Sequence, residues 1–133
     1  MSVLVDSSAW VEYLRGTGSP HNVWIREAIA EERPLGWTDP VLYELTAGAR
    51  SSEQALELRG LLMRGPMHPV AGMQDWEDAA TLYRTARARG LIVRSSIDCL
   101  IAAVALRTDN AILAVDRDFD ALAQVSELEL VTP

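Results

Sequence analysis

The sequence predicts an α/β fold in which a mostly parallel sheet of about five strands has helices on both faces. Two observations predict this class: short, uniformly apolar runs recur along the chain, and segments with helical spacing of apolar residues separate them. The chain has 133 residues, of which 49% are hydrophobic. This length, without a low-complexity linker or an internal repeat, predicts one domain spanning residues 1–133.

The predicted strands are short runs that end in polar or turn-forming residues. The first, at residues 3–5, ends at Asp6, and the fourth, at residues 111–115, ends at Asp116. Weaker strands are expected at residues 34–37, 67–70 and 128–131. Because ligands of open α/β sheets bind beyond the carboxyl ends of the strands, Asp6 and Asp116 are expected at a binding site.

The predicted helices lie between these strands, and five of them begin at a residue that can cap them. After the cap at Asp75, the spacing of Trp76, Ala79 and Tyr83 predicts the buried face of a helix that ends near Arg89. A second helix is expected at about residues 21–32, and a short helical turn at residues 119–123. The predicted caps are Ser7 or Ser8, Asp39, Ser51 with Gln54, Asp75, and Ser95 or Ser96.

The charged residues exclude several classes of enzyme. All 12 basic residues are arginine, and lysine is absent. A P-loop NTPase, a Schiff-base enzyme and a phosphoaspartyl enzyme each use a lysine, so all three are disfavoured. A net charge of -7 argues against a protein that simply coats nucleic acid, and a single cysteine excludes an internal disulfide and a multi-cysteine zinc site.

The apolar segments predict a soluble, cytoplasmic protein without a membrane partner. The longest purely apolar run has eight residues, from Cys99 to Leu106, which is too short to cross a bilayer. The N-terminal residues lack the basic region with which a signal peptide begins.

Four carboxylates are candidate metal ligands: Asp6, Glu44, Asp98 and Asp116. Each has an alternative explanation when it is taken alone. Asp98 fits a capping box with Ser95, Glu44 fits a solvated helix face, and any of the four could pair with an arginine. If the four converge, they cannot all ionise without a cation, and oxygen ligands favour Mg²⁺ or Mn²⁺ over zinc.

Four segments that contain these acids resemble the motifs of PIN-domain toxins of the VapC type, in the same order and at suitable spacing. They are VLVDSSAWVEYLRG at residues 3–16, VLYELTAGAR at 41–50, RSSIDCLIAA at 94–103 and AILAVDRDF at 111–119. One departure is Ala114, because many members of the family carry Thr, Ser or His two residues before the fourth acid.

The resemblance implies a three-layer α/β/α PIN-like fold and an Mg²⁺- or Mn²⁺-dependent endoribonuclease that acts through metal-activated water. It implies that Asp6, Glu44, Asp98 and Asp116 are catalytic metal ligands, and that Ser7, Ser96 and Asp118 support them. It further implies a toxin that cuts cellular RNA and that a cognate antitoxin neutralises. Such a toxin is expected to form a homodimer and a toxin–antitoxin hetero-oligomer. The sequence does not identify the RNA, for which tRNA is one candidate.

Arginines near the motif acids are candidate RNA contacts. Arg94 is the first choice, followed by Arg15 and Arg117, because the guanidinium group suits phosphate. The alternative is that these side chains are solvated ends of helices.

Two other functions compete with the nuclease. One is a non-catalytic PIN-like module that binds RNA or protein and holds a structural cation. The other, a phosphatase of the haloacid type, ranks last because the sequence after Asp6 lacks the second acid of an Asp-x-Asp motif and the chain has no lysine.

Overall fold

The computed structural model describes residues 2–133 and confirms the α/β class. The regular strands within this range are β1 (Val3–Val5) and β2 (Ala111–Leu113). The helices are α1 (Ser7–Leu14), α2 (Pro20–Ala30), α3 (Asp39–Ala47), α4 (Ser52–Leu62), α5 (Met73–Ala88), α6 (Ser96–Arg107) and α7 (Arg117–Gln124).

The sheet has β1 and β2 at its centre as parallel neighbours, with Leu4 opposite Ile112. Single parallel bridges extend it on both sides, between Leu4 and Gly36, between Trp37 and Met67, and between Ile112 and Leu130. All pairings are parallel, so the carboxyl ends of β1 and β2 lie at the same edge.

The prediction of about five regular strands is wrong for three of them, which the structure replaces by these single bridges. Pro34 and Pro66 precede the bridged residues Gly36 and Met67 by two residues and one residue. Proline has no backbone N–H to donate, so these pairings cannot extend further towards the N-terminal side. On the other side of Met67, the N–H of Val70 bonds to the side chain of Asp39 instead of to the sheet. The segment at 128–131 makes one bridge, through two hydrogen bonds with Ile112.

β2 is also shorter than predicted and ends at Leu113 rather than at residue 115. The carbonyl of Asp6, which lies just beyond β1, accepts hydrogen bonds from Ala9 and Trp10 in the first turn of α1. The carbonyl of Asp6 therefore bonds within α1 and does not accept the next hydrogen bond of the ladder between β1 and β2.

Three helix caps differ from the prediction. Asp6 caps α1 in place of Ser7 or Ser8, and Thr38 and Gly72, rather than Asp39 and Asp75, precede α3 and α5. Asp39 accepts a hydrogen bond from the backbone of Val70 at 2.9 Å, so its side chain holds a neighbouring loop. The predicted cap at Ser51 is confirmed, because its hydroxyl accepts the N–H of Gln54.

The buried face of α5 is rotated from the predicted one. Ala79, Leu82 and Ala86 are buried, whereas Trp76 is 56% exposed. Asp75 sets this orientation, because its fully buried carboxylate pairs with Arg107 of α6 at 2.9 Å. Asp75, which the apolar pattern placed outside the buried face of α5, is therefore buried in an ion pair with Arg107.

The core surrounds β1, β2 and α6, in which residues 98–105 are all buried. This packing fixes the positions from which the acids at 6 and 98 project. Within residues 2–133, no helix is both long and apolar enough to cross a membrane.

Candidate active site

Asp6 and Asp116 follow the two central strands and cap the helices that come next. Asp6 Oδ2 accepts the N–H of Ser8 at 3.0 Å, and Asp116 Oδ1 accepts the N–H of Asp118 at 2.9 Å. A carboxylate at this position satisfies a free N–H of the first helical turn. In Asp6 and Asp116, one carboxylate oxygen is therefore held by the capping hydrogen bond, which fixes the orientation of the other.

Glu44 and Asp98 join these residues from two other helices. Ser7 Oγ donates to Glu44 Oε1 at 3.1 Å, which ties α3 to the start of α1. Asp98 lies in the first turn of α6, and carboxylate oxygens of Asp98, Asp116 and Asp118 lie within 4.8 Å of one another. The structure therefore brings Asp98 and Asp116 together with Asp118. Asp6 and Glu44 are near enough that their charges are coupled to this group, because Asp6 and Asp116 raise the pKa of both Glu44 and Asp98.

The pKa values show the effect of burial and like charge. Burial, assisted by neighbouring acids that include Asp118, raises the pKa of Asp98 to about 9. Burial also raises the pKa of Asp6 against the hydrogen bonds from Ser8, and burial together with the charge of Asp6 raises that of Glu44. These shifts mean that the site resists full ionisation without a compensating cation.

Three alternative explanations are not observed in the described part of the chain: pairing of a motif acid with arginine, the capping box of Asp98, and a solvated helix face for Glu44. The ion pairs within residues 2–133 join Arg33 to Glu31 and Arg107 to Asp75, and neither involves a motif acid. Ser95 makes no side-chain capping bond at the start of α6, so the capping box with Asp98 is absent there. Glu44 is partly buried rather than on a solvated face.

Asp118 is more deeply placed than its predicted supporting role suggested, because only 3% of the residue is exposed. Its two carboxylate oxygens accept the backbone N–H groups of Arg94 and Ser95 at 3.0 and 2.9 Å. Although burial opposes ionisation, these bonds lower the pKa of Asp118. Asp118 therefore remains an anion that fastens α7 to the segment before α6.

The other predicted residues lie at varied distances from the acids. Ser96 is the exposed first residue of α6, and Arg117 is the exposed first residue of α7. Arg94 is exposed, and its charge contributes to the lowered pKa of Asp118. Arg15 follows the last residue of α1, so a helix of about 12 Å separates it from Asp6, and the structure does not bring it to the acids.

Two residues with contacts at the site were not predicted. The hydroxyl of Ser8, considered only as a helix cap, donates to Asp6 and accepts the N–H of Val115. His21 Nε2 lies 3.0 Å from the carbonyl of Ala114. The position of Ser8 two residues after Asp6 is a recognisable signal, whereas a contact across 93 residues leaves none in the sequence.

The donor set fits a hard divalent cation. Asp6 Oδ1 and Asp98 Oδ2 are buried without a hydrogen-bond partner among the described residues. An unpaired buried carboxylate oxygen is costly, so two of them among clustered acids indicate a missing positive ligand. Carboxylate oxygens are the ligands that Mg²⁺ and Mn²⁺ prefer.

Comparison with known proteins agrees with this arrangement. The family model described as PIN domain matches residues 3–125. A VapC ribonuclease of Mycobacterium bovis and ribonuclease VapC11 of Mycobacterium tuberculosis are each 39% identical over 128 residues, which cover 96% of this chain and 96% of each relative.

Solved structures share the fold at low sequence identity. VapBC2 from Rickettsia felis, bound to a promoter DNA fragment, matches with a TM-score of 0.75 and 17% identity over 98% of both chains. VapBC-1 from nontypeable Haemophilus influenzae also reaches 0.75, with 16% identity over 98% of this chain and 97% of that one. Taken with the relatives of higher identity, these matches show that the chain belongs to the PIN-domain family and, within it, to the VapC proteins.

Proposed function

We propose that this protein is the ribonuclease toxin of a toxin–antitoxin pair and that it cuts RNA with the help of a divalent cation. The observation that carries the proposal is a group of acids at the shared carboxyl edge of β1 and β2, in which Asp98 and Asp116 meet beside Asp118 and are coupled by charge to Asp6 and Glu44. Two buried oxygens of this group are unpaired among the described residues. The ribonuclease names of relatives that align over 96% of the chain support RNA as the substrate.

Asp6, Glu44, Asp98 and Asp116 would hold Mg²⁺ or Mn²⁺. When bound, such an ion lowers the pKa of water and stabilises negative charge at a phosphate. Asp6 and Asp98 offer buried oxygens from a strand end and a helix start, so their positions are rigid. Ser7 orients Glu44 through its hydroxyl, and Asp118 holds the two helix starts that carry Asp98 and Asp116 together.

The RNA backbone would meet arginine rather than lysine at the edge of this site. Arg94 and Arg117 are exposed and lie beside residues of the acid cluster, in the segment before α6 and at the start of α7. Guanidinium groups make paired hydrogen bonds to phosphate oxygens. A net charge of -7 means that this affinity is modest and sensitive to salt.

The partners follow from the same family. One solved neighbour is described as a member of the VapBC family of toxin–antitoxin systems, from Mycobacterium tuberculosis. We infer a cognate antitoxin for this chain, and we expect it to supply positive charge that complements the acidic surface. A homodimer in the cytoplasm is part of the proposal, and light scattering of the purified protein measures its mass.

The test is cleavage of end-labelled cellular RNA, including tRNA, by the purified chain with Mg²⁺, with Mn²⁺ or with EDTA. We expect cleavage with either metal, none with EDTA, and none by Asp98→Asn. The matched control is Asp120→Asn, which changes an exposed acid of α7 and should cut normally. RNA binding without any cleavage would instead favour the non-catalytic module with a structural cation.

A further inference from the structure

The peptide unit between Ala114 and Val115 is held at both of its polar atoms by side chains from the beginning of the chain. Its carbonyl oxygen lies 3.0 Å from His21 Nε2, and its N–H donates to Ser8 Oγ at 3.0 Å. A carbonyl can only accept, so Nε2 is the protonated nitrogen of His21 in this contact. The next residue along the chain is Asp116, a proposed metal ligand.

The hydrogen bond to Ser8 replaces one that the ladder between β1 and β2 lacks. The N–H of Ala111 bonds to the carbonyl of Ser2, and the N–H of Asp6 bonds to the carbonyl of Leu113. In a parallel ladder the two strands donate in turn, so the next hydrogen bond would run from the N–H of Val115 to the carbonyl of Asp6. Helix α1 already uses that carbonyl, so the N–H of Val115 needs another acceptor, which the hydroxyl of Ser8 provides.

The same hydroxyl also contacts the first acid. Ser8 Oγ donates to Asp6 Oδ2 at 2.5 Å while it accepts from Val115. A hydroxyl can donate and accept at once, which the side chains of alanine, valine, lysine and arginine cannot do. One small group therefore connects the carboxylate of Asp6 to the backbone that immediately precedes Asp116.

We propose that Ser8 is a positioning residue that sets the spacing between Asp6 and Asp116, and that His21 holds the other end of the same peptide unit. Neither side chain is needed as a ligand in this role. The inference rests on the proposed cation site, but the contact with Val115 can be measured without any metal. Side chains that orient metal ligands affect affinity strongly, with losses of about 10- to 100-fold when they are removed.

The test compares Ser8→Ala with Ser8→Thr, which retains a hydroxyl, and with the matched control Ser52→Ala at the exposed start of α4. The first readout is hydrogen exchange of the Val115 amide by NMR in EDTA. We expect exchange to be about tenfold faster in Ser8→Ala, as loss of one hydrogen bond allows, and unchanged in Ser52→Ala. The second readout is Mn²⁺ affinity by calorimetry, which should fall about tenfold or more in Ser8→Ala and recover in Ser8→Thr.

His21→Leu and His21→Gln test the other end of the peptide unit, because glutamine keeps an N–H donor and leucine does not. Leucine should speed the exchange of the Val115 amide and weaken Mn²⁺ binding less than Ser8→Ala does, since His21 has no bond to Asp6. Glutamine should restore both properties towards those of the original protein.

The proposal is overturned if Ser8→Ala keeps both the protection of the Val115 amide and the original Mn²⁺ affinity. If that variant does not fold, Ser8→Cys is judged by the same two criteria, because a thiol has similar size and donates weakly. Absence of Mn²⁺ binding by the unmodified protein would refute the proposed cation site instead. Faster exchange in Ser8→Ala would still support the link to Val115 in that case.

Discussion

Asp118 accepts the backbone N–H of Ser95 at 2.9 Å, which fastens the first turn of α7 to the residue before α6. Asp98 lies in the first turn of α6, and Asp116 is the cap of α7. The bond therefore fixes the separation of two proposed metal ligands that are 18 residues apart in the sequence. The buried carboxylate of Asp118 makes this connection through backbone N–H groups, so it does not require an arginine side chain inside the site.

Asp118→Asn should destabilise the fold, because the amide NH₂ would face an N–H that now bonds to a carboxylate oxygen. Loss of one such buried bond costs about 1–3 kcal/mol, which urea denaturation can resolve. Asp120→Asn is the control, since this acid lies in the same helix but is exposed, and we expect a change within about 0.5 kcal/mol. Equal stabilities of the two variants would contradict the role given to Asp118.

Divalent cations should stabilise the protein against heat. An ion that binds the folded state alone adds about 2.7 kcal/mol at 100 times its dissociation constant, so Tm should rise with Mg²⁺ or Mn²⁺ concentration. Calorimetry at constant ionic strength, with NaCl as the matched salt, measures the effect. Asp98→Asn should respond much less, and an equal response in this variant would place the bound ion elsewhere.

Replacing the titratable carboxyl of Asp98 should change how the stability of the metal-free protein depends on pH. The pKa of Asp98 is raised from 3.8 to about 9 in the folded protein, mainly by burial. The folded state therefore binds a proton that the unfolded state releases, and stability falls as pH rises between these values. The slope from this group is at most about 1.4 kcal/mol per pH unit.

Asp98→Asn should accordingly be more stable than the original protein at pH 7 in EDTA, by on the order of a few kcal/mol, and about equally stable near pH 4. Denaturant titrations across this range give the comparison. If the free energies of unfolding of the two proteins depended on pH in the same way, the pKa of Asp98 would not be raised in the folded state.

Local signals in the sequence, apolar runs and strand-end polarity, were sufficient to predict the α/β class and the positions of Asp6 and Asp116. Glu44 and Asp98 lie in helices and were added through the resemblance of four motifs to a known family. Asp6 and Asp116 lie where a parallel sheet places them, at the ends of β1 and β2. Contacts between distant residues were not accessible in the same way. Ser8 bonds to Val115 across 107 residues, and nothing local marks that partner.

The orientation of α5 shows a second limit. Apolar spacing favoured Trp76 as a core residue, but the carboxylate of Asp75 is buried instead. Its stability there depends on Arg107, which is 32 residues away, and on the N–H of Ala71. The periodicity of apolar residues along α5 does not indicate either partner, so it could not predict that Asp75 faces the interior.

Arg94 should contribute to RNA binding through its side chain alone, because its backbone N–H already bonds to Asp118. Arg94→Gln should weaken binding of RNA and reduce the dependence on salt by about one phosphate contact. Arg59→Gln is the control, since Arg59 is exposed in α4 away from the motif segments. Fluorescence anisotropy at several NaCl concentrations, with Mg²⁺ replaced by EDTA, separates binding from cleavage. An unchanged salt slope in Arg94→Gln would mean that this side chain is only solvated.

Gly65 should be the glycine least tolerant of a side chain among those of the described residues. A Cβ atom there would lie 1.8 Å from the carbonyl oxygen of Leu35, which is backbone and cannot rotate away. The carbonyl of Gly65 also accepts the indole N–H of the buried Trp37 at 3.1 Å. Gly65→Ala must therefore move one of two packed backbones, at a cost of about 3 kcal/mol or more.

Gly60→Ala supplies the matched comparison, because a Cβ atom at this exposed position in α4 meets nothing within 4 Å. Alanine is the better helix former, so this variant should gain about 0.5–1 kcal/mol. The two substitutions add the same methyl group and differ only in what surrounds it. Opposite shifts of the urea midpoint are expected, and a stable Gly65→Ala protein would show that the approach of residues 65 and 35 is not a tight backbone contact.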